Sequence, residues 1–160
     1  MTTTAAQMLD TRAAILELMV TIDAPTARVW SALTEEANAW WVADLRCVPG
    51  DSEVSLDARA GGQLIEASAD GGSLLWFNVV AIEPGQSLNL IGHVAPPFGG
   101  PNTSCLLLRL EAQGDRTLLH ITNSMYGVVD ETLLGQVEAG WRLLFENGLK
   151  RYAEDGTQLA

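Results

Sequence analysis

Hydrophobic and polar residues alternate with a period of two along the middle of this chain, which is typical of β-strands that bury one face. The run from Ile15 to Ile22 predicts a first strand. Further strands are predicted between turn signals, over residues 53–58, 62–69, 73–83, 87–94, 103–111 and 116–126. The Pro- and Gly-rich stretch 95–101 cannot continue a strand ladder and is predicted to be a loop.

Helical periodicity replaces this alternation near both ends. Val29 and Leu33 follow Pro25 at helical spacing, so residues 25–34 are predicted to form a short helix, with a second over 35–41. From about Asp130 to Tyr152, apolar residues recur at spacings of three, four or seven, which predicts a long C-terminal helix. This order of elements predicts an α+β fold, in which a curled antiparallel sheet wraps around the C-terminal helix.

Composition and charge narrow the class of protein. The 160 residues fit a single domain, predicted over 13–160, with residues 1–12 as a flexible polar leader. The formal charge of -11 repels phosphate backbones and argues against nucleic-acid binding. No apolar run approaches the roughly 20 residues that span a bilayer, and the N-terminus lacks a signal-peptide pattern, so we predict a cytoplasmic protein without a membrane span. Cys47 and Cys105 have no CxxC or His-rich spacing, so we predict free thiols and neither a metal nor a cofactor.

The space between a curled sheet and a helix is where a small molecule would sit. Trp76 and Trp141 are expected to meet there, whereas the adjacent Trp40 and Trp41 cannot share one direction. Flat apolar ligands stack well on such rings, although ordinary core packing explains these aromatic residues equally well. The predicted ligand-binding residues are Trp40, Trp41, Leu64, Glu66, Trp76, Asn78, Leu108, Asn123, Tyr126, Trp141 and Phe145.

Glu66 is the predicted acid of this site. If alternation holds along its strand, Leu64 and Glu66 face inward, where burial raises the pKa of a carboxyl group. Glu66 would then anchor a ligand or, with Tyr126 orienting a substrate, act as a catalytic acid or base. The alternatives are that a one-residue shift exposes Glu66 or that an Arg pairs with it. His93 and His120 are assigned to a loop and to the surface, and they assemble no catalytic triad.

The strand predicted over 73–83 is apolar on both faces. The face predicted to look inward carries Trp76, Asn78, Val80 and Ile82. The opposite face carries Leu75, Phe77, Val79 and Ala81. An apolar outer face is unusual for a sheet that is open to water, so we predict that it forms the contact of a homodimer.

Several short motifs occur in an order that is typical of one superfamily. They are IDAPTARVWSALT at 22–34, the Trp40-Trp41 pair, Gly61-Gly62, VAIEPG at 80–85, Thr117 and GWRLLFENGLKRYAEDG at 140–156. The chain resembles the START-like superfamily, also called SRPBCC, and within it the small bacterial domains related to activators of the heat-shock chaperone ATPase. The resemblance covers about residues 15–155 and implies a helix-grip fold. Two positions depart from the pattern: Gly92 replaces a frequent tryptophan and enlarges the pocket, and Asn123 replaces a histidine and removes a base.

This superfamily includes lipid carriers, polyketide cyclases and co-chaperones, so the resemblance implies more than one function. We predict first a protein that binds a hydrophobic small molecule, aromatic or lipid-like, in the cavity between the sheet and the C-terminal helix. The enzymatic alternative is a polyketide cyclase or hydrolase that uses Glu66. The third is a co-chaperone-like interaction module that uses the apolar outer face. An open cavity favours the first two, and a filled one favours the third.

Overall fold

The computed structural model describes residues 5–158. Residues 1–4 of the predicted leader and residues 159–160 of the predicted domain lie outside the described residues. The strands are β1 (Arg12–Ile22), β2 (Ser52–Leu56), β3 (Gln63–Ser68), β4 (Ser73–Glu83), β5 (Ser87–Val94), β6 (Asn102–Gln113) and β7 (Arg116–Gly127). Each predicted strand is present, and β1 begins at Arg12 rather than at Ile15.

The strands described within residues 5–158 form one antiparallel sheet in the order β1-β7-β6-β5-β4-β3-β2. The first and last strands are neighbours, and they pair from Arg12 with Gly127 to Ile22 with Thr117. The remaining strands are joined in sequence as hairpins, which is why the sheet is a simple meander apart from this one return. The sheet curls around the C-terminal helix, and the predicted α+β helix-grip fold is confirmed.

Two short helices follow β1, as predicted: α1 (Thr26–Glu35) and α2 (Ala37–Trp40). The carbonyl of Pro25 accepts hydrogen bonds from the amides of Arg28 and Val29, which starts the first turn of α1. α2 is tied back to α1 because the indole nitrogen of Trp40 donates to the carbonyl of Ala32 over 2.7 Å. Trp40 is thereby held in the core.

The C-terminal helix runs continuously as α3 (Glu131–Arg142), a π-helical segment (Leu143–Lys150) and α4 (Arg151–Asp155). Asp130 caps its start, since a carboxylate oxygen accepts the amide of Leu133 over 2.8 Å. Gly156 ends it in the left-handed conformation, with a φ of 77°.

Burial differs sharply along the C-terminal helix. Every side chain of α3 is at least partly exposed, whereas Leu144, Phe145 and Leu149 of the π-helical segment are buried. No helix among residues 5–158 is both long enough and apolar enough to cross a membrane.

Two β-bulges interrupt the alternation of β4. Opposite β3, Leu64 pairs with Phe77 and Ile65 with Leu75, so Trp76 is an extra residue without a partner. Opposite β5, Val80 is extra in the same way. A bulge places successive side chains on one face, and the predicted parity of β4 is therefore wrong.

The corrected faces of β4 remove the basis of the predicted dimer contact. Phe77 and Val79 are buried in the core, whereas Val80, predicted to face inward, is 52% exposed. Trp76 and Ile82 do face inward. The bulge at Trp76 places this side chain on the same face as Phe77, and the bulge at Val80 returns Ile82 to the inward face. The continuous apolar outer face predicted for this strand does not exist.

Candidate functional site

A cavity of about 260 Å³ lies between α3 and the sheet. Its walls come from β4, β5, β6, β7, α3 and the segments at residues 46–51 and 95–101. The lining residues are Cys47, Leu74, Leu75, Trp76, Phe77, Gly92, His93, Val94, Phe98, Asn102, Ser104, Asn123, Met125, Leu133, Val137 and Trp141. Most of these side chains are apolar, which suits a hydrophobic molecule of modest size.

A second space, of about 20 Å³, lies deeper in the core. Its wall includes Trp141 and five more of the predicted ligand-binding residues: Trp40, Trp41, Leu64, Leu108 and Phe145. Each of the five is at most 7% exposed, so these side chains fill the interior rather than line an open pocket. The core-packing interpretation of the Trp40-Trp41 pair is therefore the one that the structure supports.

Trp141 separates the two spaces, since its side chain lines both. Its ring lies 6.2 Å from that of Phe77 and 5.8 Å from that of Phe145. Its indole nitrogen donates to Oδ1 of Asn123 over 3.0 Å. Trp141 is thus held by both packing and a hydrogen bond, which fixes the inner limit of the cavity.

Asn123 lines the cavity as predicted, but its polar atoms are already in use. The side chain is fully buried, and its Nδ2 donates to Oγ of Ser104 over 2.6 Å and to the carbonyl of Cys105 over 3.1 Å. Its Oδ1 accepts from Trp141. Asn123 therefore positions the cavity wall and leaves no free donor for a ligand.

Glu66 is buried, as expected from its parity, but it does not line the cavity. Its carboxylate accepts hydrogen bonds from the amides of Cys47 and Val48, at 3.0 and 2.9 Å, and from Oγ of Ser52 at 2.7 Å. The indole nitrogen of Trp76 donates to the same carboxylate over 3.2 Å.

These hydrogen bonds reverse the predicted direction of the pKa shift. Burial alone would raise the pKa of Glu66, but the donors from Cys47, Ser52, Val48 and Trp76 together hold it below its ordinary value of 4.5. Glu66 is therefore an ionised anchor that joins the loop at residues 46–51 and the start of β2 to β3 and Trp76. Its carboxylate does not reach the cavity and so cannot transfer a proton to a ligand there.

Tyr126 and Asn78 are the predicted site residues that lie on the outer face of the sheet. On β7, Asn123 and Met125 point inward, so Tyr126 takes the opposite face and is 56% exposed. Asn78 lies between the buried Phe77 and Val79, and it points to the outer face for the same reason. Both assignments are corrected: Tyr126 because it was grouped with Asn123 despite opposite parity, and Asn78 because the bulge was not foreseen.

The two histidines make local contacts. Nδ1 of His93 lies 3.0 Å from Oγ1 of Thr103, and Nε2 of His120 lies 2.8 Å from a carboxylate oxygen of Glu111. Burial and the charge of Glu66 raise the pKa of the Cys47 thiol, which disfavours its nucleophilic form. Within residues 5–158, the His, Cys, Asp and Glu side chains form no group of three or more that could hold a metal ion.

Residues 23–154 match the family described as activator of Hsp90 ATPase homolog 1-like protein. The chain belongs to this family. The resemblance drawn from the short sequence motifs is thereby confirmed. No curated protein matches the chain.

Solved structures show the same fold. A putative uncharacterised protein from Rhizobium leguminosarum has a TM-score of 0.70 at 20% identity, covering 90% of this chain and 96% of that one. CalU16 from Micromonospora echinospora has a TM-score of 0.60 at 27% identity, covering 91% and 76%. The Aha1 dimer from Colwellia psychrerythraea has a TM-score of 0.63 at 18% identity, covering 90% and 98%.

Several cavity residues of this activator-homologue domain were missed from the sequence. Met125 shares the inward face of Asn123, and Leu133 and Val137 belong to the apolar stripe of the helix, so alternation and helical spacing could have found them. Gly92, which the sequence analysis expected to enlarge the pocket, does line the cavity, and a Cβ there would lie only 2.4 Å from the backbone oxygen of Trp76. The bulge at Trp76 therefore excludes a side chain at this point of the wall.

Proposed function

We propose that this protein binds a hydrophobic small molecule in the cavity between α3 and the sheet. The observation that carries the proposal is the cavity of about 260 Å³ with its largely apolar wall. Protein interiors are normally close-packed. Between the same sheet and the π-helical segment, a space of only about 20 Å³ is left. The unfilled apolar space beneath α3 is therefore suited to a ligand.

The candidate catalytic residues of the enzymatic alternative lie away from the cavity. Glu66 is enclosed by hydrogen-bond donors outside the cavity, and Tyr126 lies on the outer face of the sheet. A catalytic acid or base must reach the proton that it transfers, and neither side chain meets this condition. Binding without turnover is therefore the better-supported function.

The co-chaperone alternative depended on a continuous apolar outer face of β4 and on a filled interior. Two bulges turn Phe77 and Val79 into the core, and the interior beneath α3 is open. Both observations favour small-molecule binding over a protein-interaction module.

Fluorescence quenching by azobenzene tests the proposal, because azobenzene is apolar and absorbs where tryptophan emits. We expect saturable quenching, since Trp76 and Trp141 line the cavity. Val137→Phe narrows the cavity and should weaken binding by at least about tenfold, or about 1.4 kcal/mol. Val80→Phe, the same change at an exposed position outside the cavity, is the matched control and should bind as the wild type does.

The outcome that would contradict the proposal is quenching that does not saturate, or an affinity that Val137→Phe leaves unchanged. Either result would mean that azobenzene associates with the surface rather than with the cavity.

Self-association stays a proposal, now on different residues. Ile15, Met19 and Leu107 are exposed on the outer face of β1 and β6, and a fold neighbour is described as a dimer. Sedimentation velocity at micromolar concentration should give a dimer that Met19→Glu dissociates, and a single monomeric species for the wild type would end this proposal. The cytoplasmic location also stays a prediction.

A further inference from the structure

The cavity wall contains a buried hydrogen-bond acceptor that is left unsatisfied by residues 5–158. Asn102 lines the cavity and is only 8% exposed, and its Oδ1 has no partner in the described part of the chain. Buried polar atoms are rarely left unpaired, because their loss of water is not compensated. We propose that Asn102 Oδ1 is the polar subsite of the cavity and accepts a hydrogen bond from a hydroxyl or N–H group on an otherwise apolar ligand. This inference rests on the proposed function.

The orientation of the Asn102 amide follows from its other contact. Its Nδ2 donates to the carbonyl oxygen of Gly99 over 3.4 Å. A carbonyl oxygen can only accept, so the nitrogen must occupy that side and the oxygen the other. The free atom is therefore an acceptor, and the ligand must supply the donor.

The backbone that carries Asn102 is held on both sides. Asn102 is the first residue of β6 and pairs with Val94 on β5 and with Gly127 on β7. The packing is tight enough that a Cβ on Gly127 would lie 2.7 Å from Cα of Asn102. A polar group on such a rigid strand is well positioned for recognition.

The amide of Asn123, the hydroxyl oxygen of Ser104 and Nδ1 of His93, all on the cavity wall, already have partners. Asn123 uses both its amide hydrogens and its oxygen, and Ser104 accepts one of those hydrogens. Nδ1 of His93 is paired with Thr103. Among the described residues that line the cavity, Asn102 Oδ1 is the buried side-chain acceptor without a partner, so the donor of a ligand would pair with it while the apolar wall contacts its hydrocarbon part. The ligand class is an apolar molecule with a single donor, such as a phenol or an alcohol.

Titration calorimetry with three naphthalenes tests this subsite. 2-Naphthol has a donor, 2-methoxynaphthalene has only an acceptor, and 2-methylnaphthalene has neither. We expect the wild type to bind 2-naphthol about tenfold more tightly than the other two. Asn102→Leu keeps a similar size without the acceptor and should abolish this preference, whereas Asn78→Leu, the same change on the outer face, should retain it.

Equal affinity of the wild type for 2-naphthol and 2-methylnaphthalene overturns the subsite but leaves binding in the cavity intact. A preference that persists in Asn102→Leu also overturns it. If none of the three compounds binds, the proposed function fails and the subsite fails with it. Should Asn102→Leu not fold, as judged by thermal unfolding, the comparison of the three compounds on the wild type still decides.

Discussion

The two halves of the C-terminal helix face the same sheet but pack against it differently. The π-helical segment buries Leu144, Phe145 and Leu149 against the sheet, whereas α3 covers a cavity of about 260 Å³. Trp141 lies at the boundary, where its side chain lines both spaces. One helix thus has a packed half and a half that covers an open cavity.

The packed half and the cavity half of the C-terminal helix contribute differently to stability. A cavity forgoes the dispersion contacts that close packing provides, so it lowers stability. The packed half, with its fully buried leucines and phenylalanine, offsets that loss. The structure therefore predicts that identical substitutions will have different costs in the two halves.

Leucine-to-alanine substitutions should give the largest difference. Leu149 is fully buried, and Leu149→Ala should lower the free energy of unfolding by about 2–5 kcal/mol, because it removes contacts and creates a void. Leu133 lines a space that is already open, so Leu133→Ala should cost only about 1 kcal/mol. Urea unfolding monitored by circular dichroism measures both. Equal losses would show that the helix packs uniformly and that the comparison is wrong.

Glu66→Gln tests how much Glu66 stabilises the segment of the cavity wall that carries Cys47. The neutral amide replaces a carboxylate that accepts from Cys47, Val48 and Ser52, so we expect a loss of about 2–3 kcal/mol near neutral pH. The exposed Glu53 on the neighbouring strand gives the matched control, Glu53→Gln, which should change little.

The pH dependence of the same variant has a definite sign. The folded-state pKa of Glu66 lies below its ordinary value of 4.5, so its stabilisation is present above that pH and is lost as the pH falls through the folded-state pKa. Unfolding free energies of the wild type should therefore decline on acidification more steeply than those of Glu66→Gln. Parallel pH profiles for the two proteins would mean that Glu66 is not an ionised anchor.

Two glycines on the C-terminal helix should respond with opposite signs. A Cβ on Gly148 would lie 2.4 Å from the backbone oxygen of Trp40, so Gly148→Ala should destabilise by about 1–3 kcal/mol. A Cβ on Gly135 meets nothing within 4 Å, so Gly135→Ala should stabilise by about 0.5–1 kcal/mol through helix propensity. Differential scanning calorimetry would resolve the shifts in melting temperature. Destabilisation by Gly135→Ala would imply close packing of α3 and argue against an open half.

The sequence predicted the architecture well, because burying one face of a strand or helix imposes a period that survives in the residue pattern. It failed on β4, where the extra residue Trp76 is set by pairing with β3 and has no local signature. Glu66 was correctly placed inside, but its donors come from the distant loop that carries Cys47. Contacts between segments far apart in the chain cannot be inferred from alternation.

Asn102 escaped the sequence analysis for a related reason. It follows a Pro- and Gly-rich loop, and only the paired strands on either side show that its side chain enters the cavity wall. Trp141, by contrast, was found from helical spacing alone. Residues on regular elements were predictable, and those at the junctions of elements were not.

The π-helical segment determines how α3, which covers the cavity, is rotated about the helix axis relative to α4. Its wide turns close through bonds between residues five apart, whereas each residue of an α-helix advances by about 100°. A π-turn holds about one residue more than an α-turn, so removing one residue from Leu143–Lys150 would restore α-helical turns and leave the faces of α3 and α4 nearly in phase. Leu133 and Val137 would then stay on the wall and Leu149 in the core. The same one-residue change between Val137 and Trp141, where the helix is α-helical, would turn one of these two side chains out of the wall by about 100°.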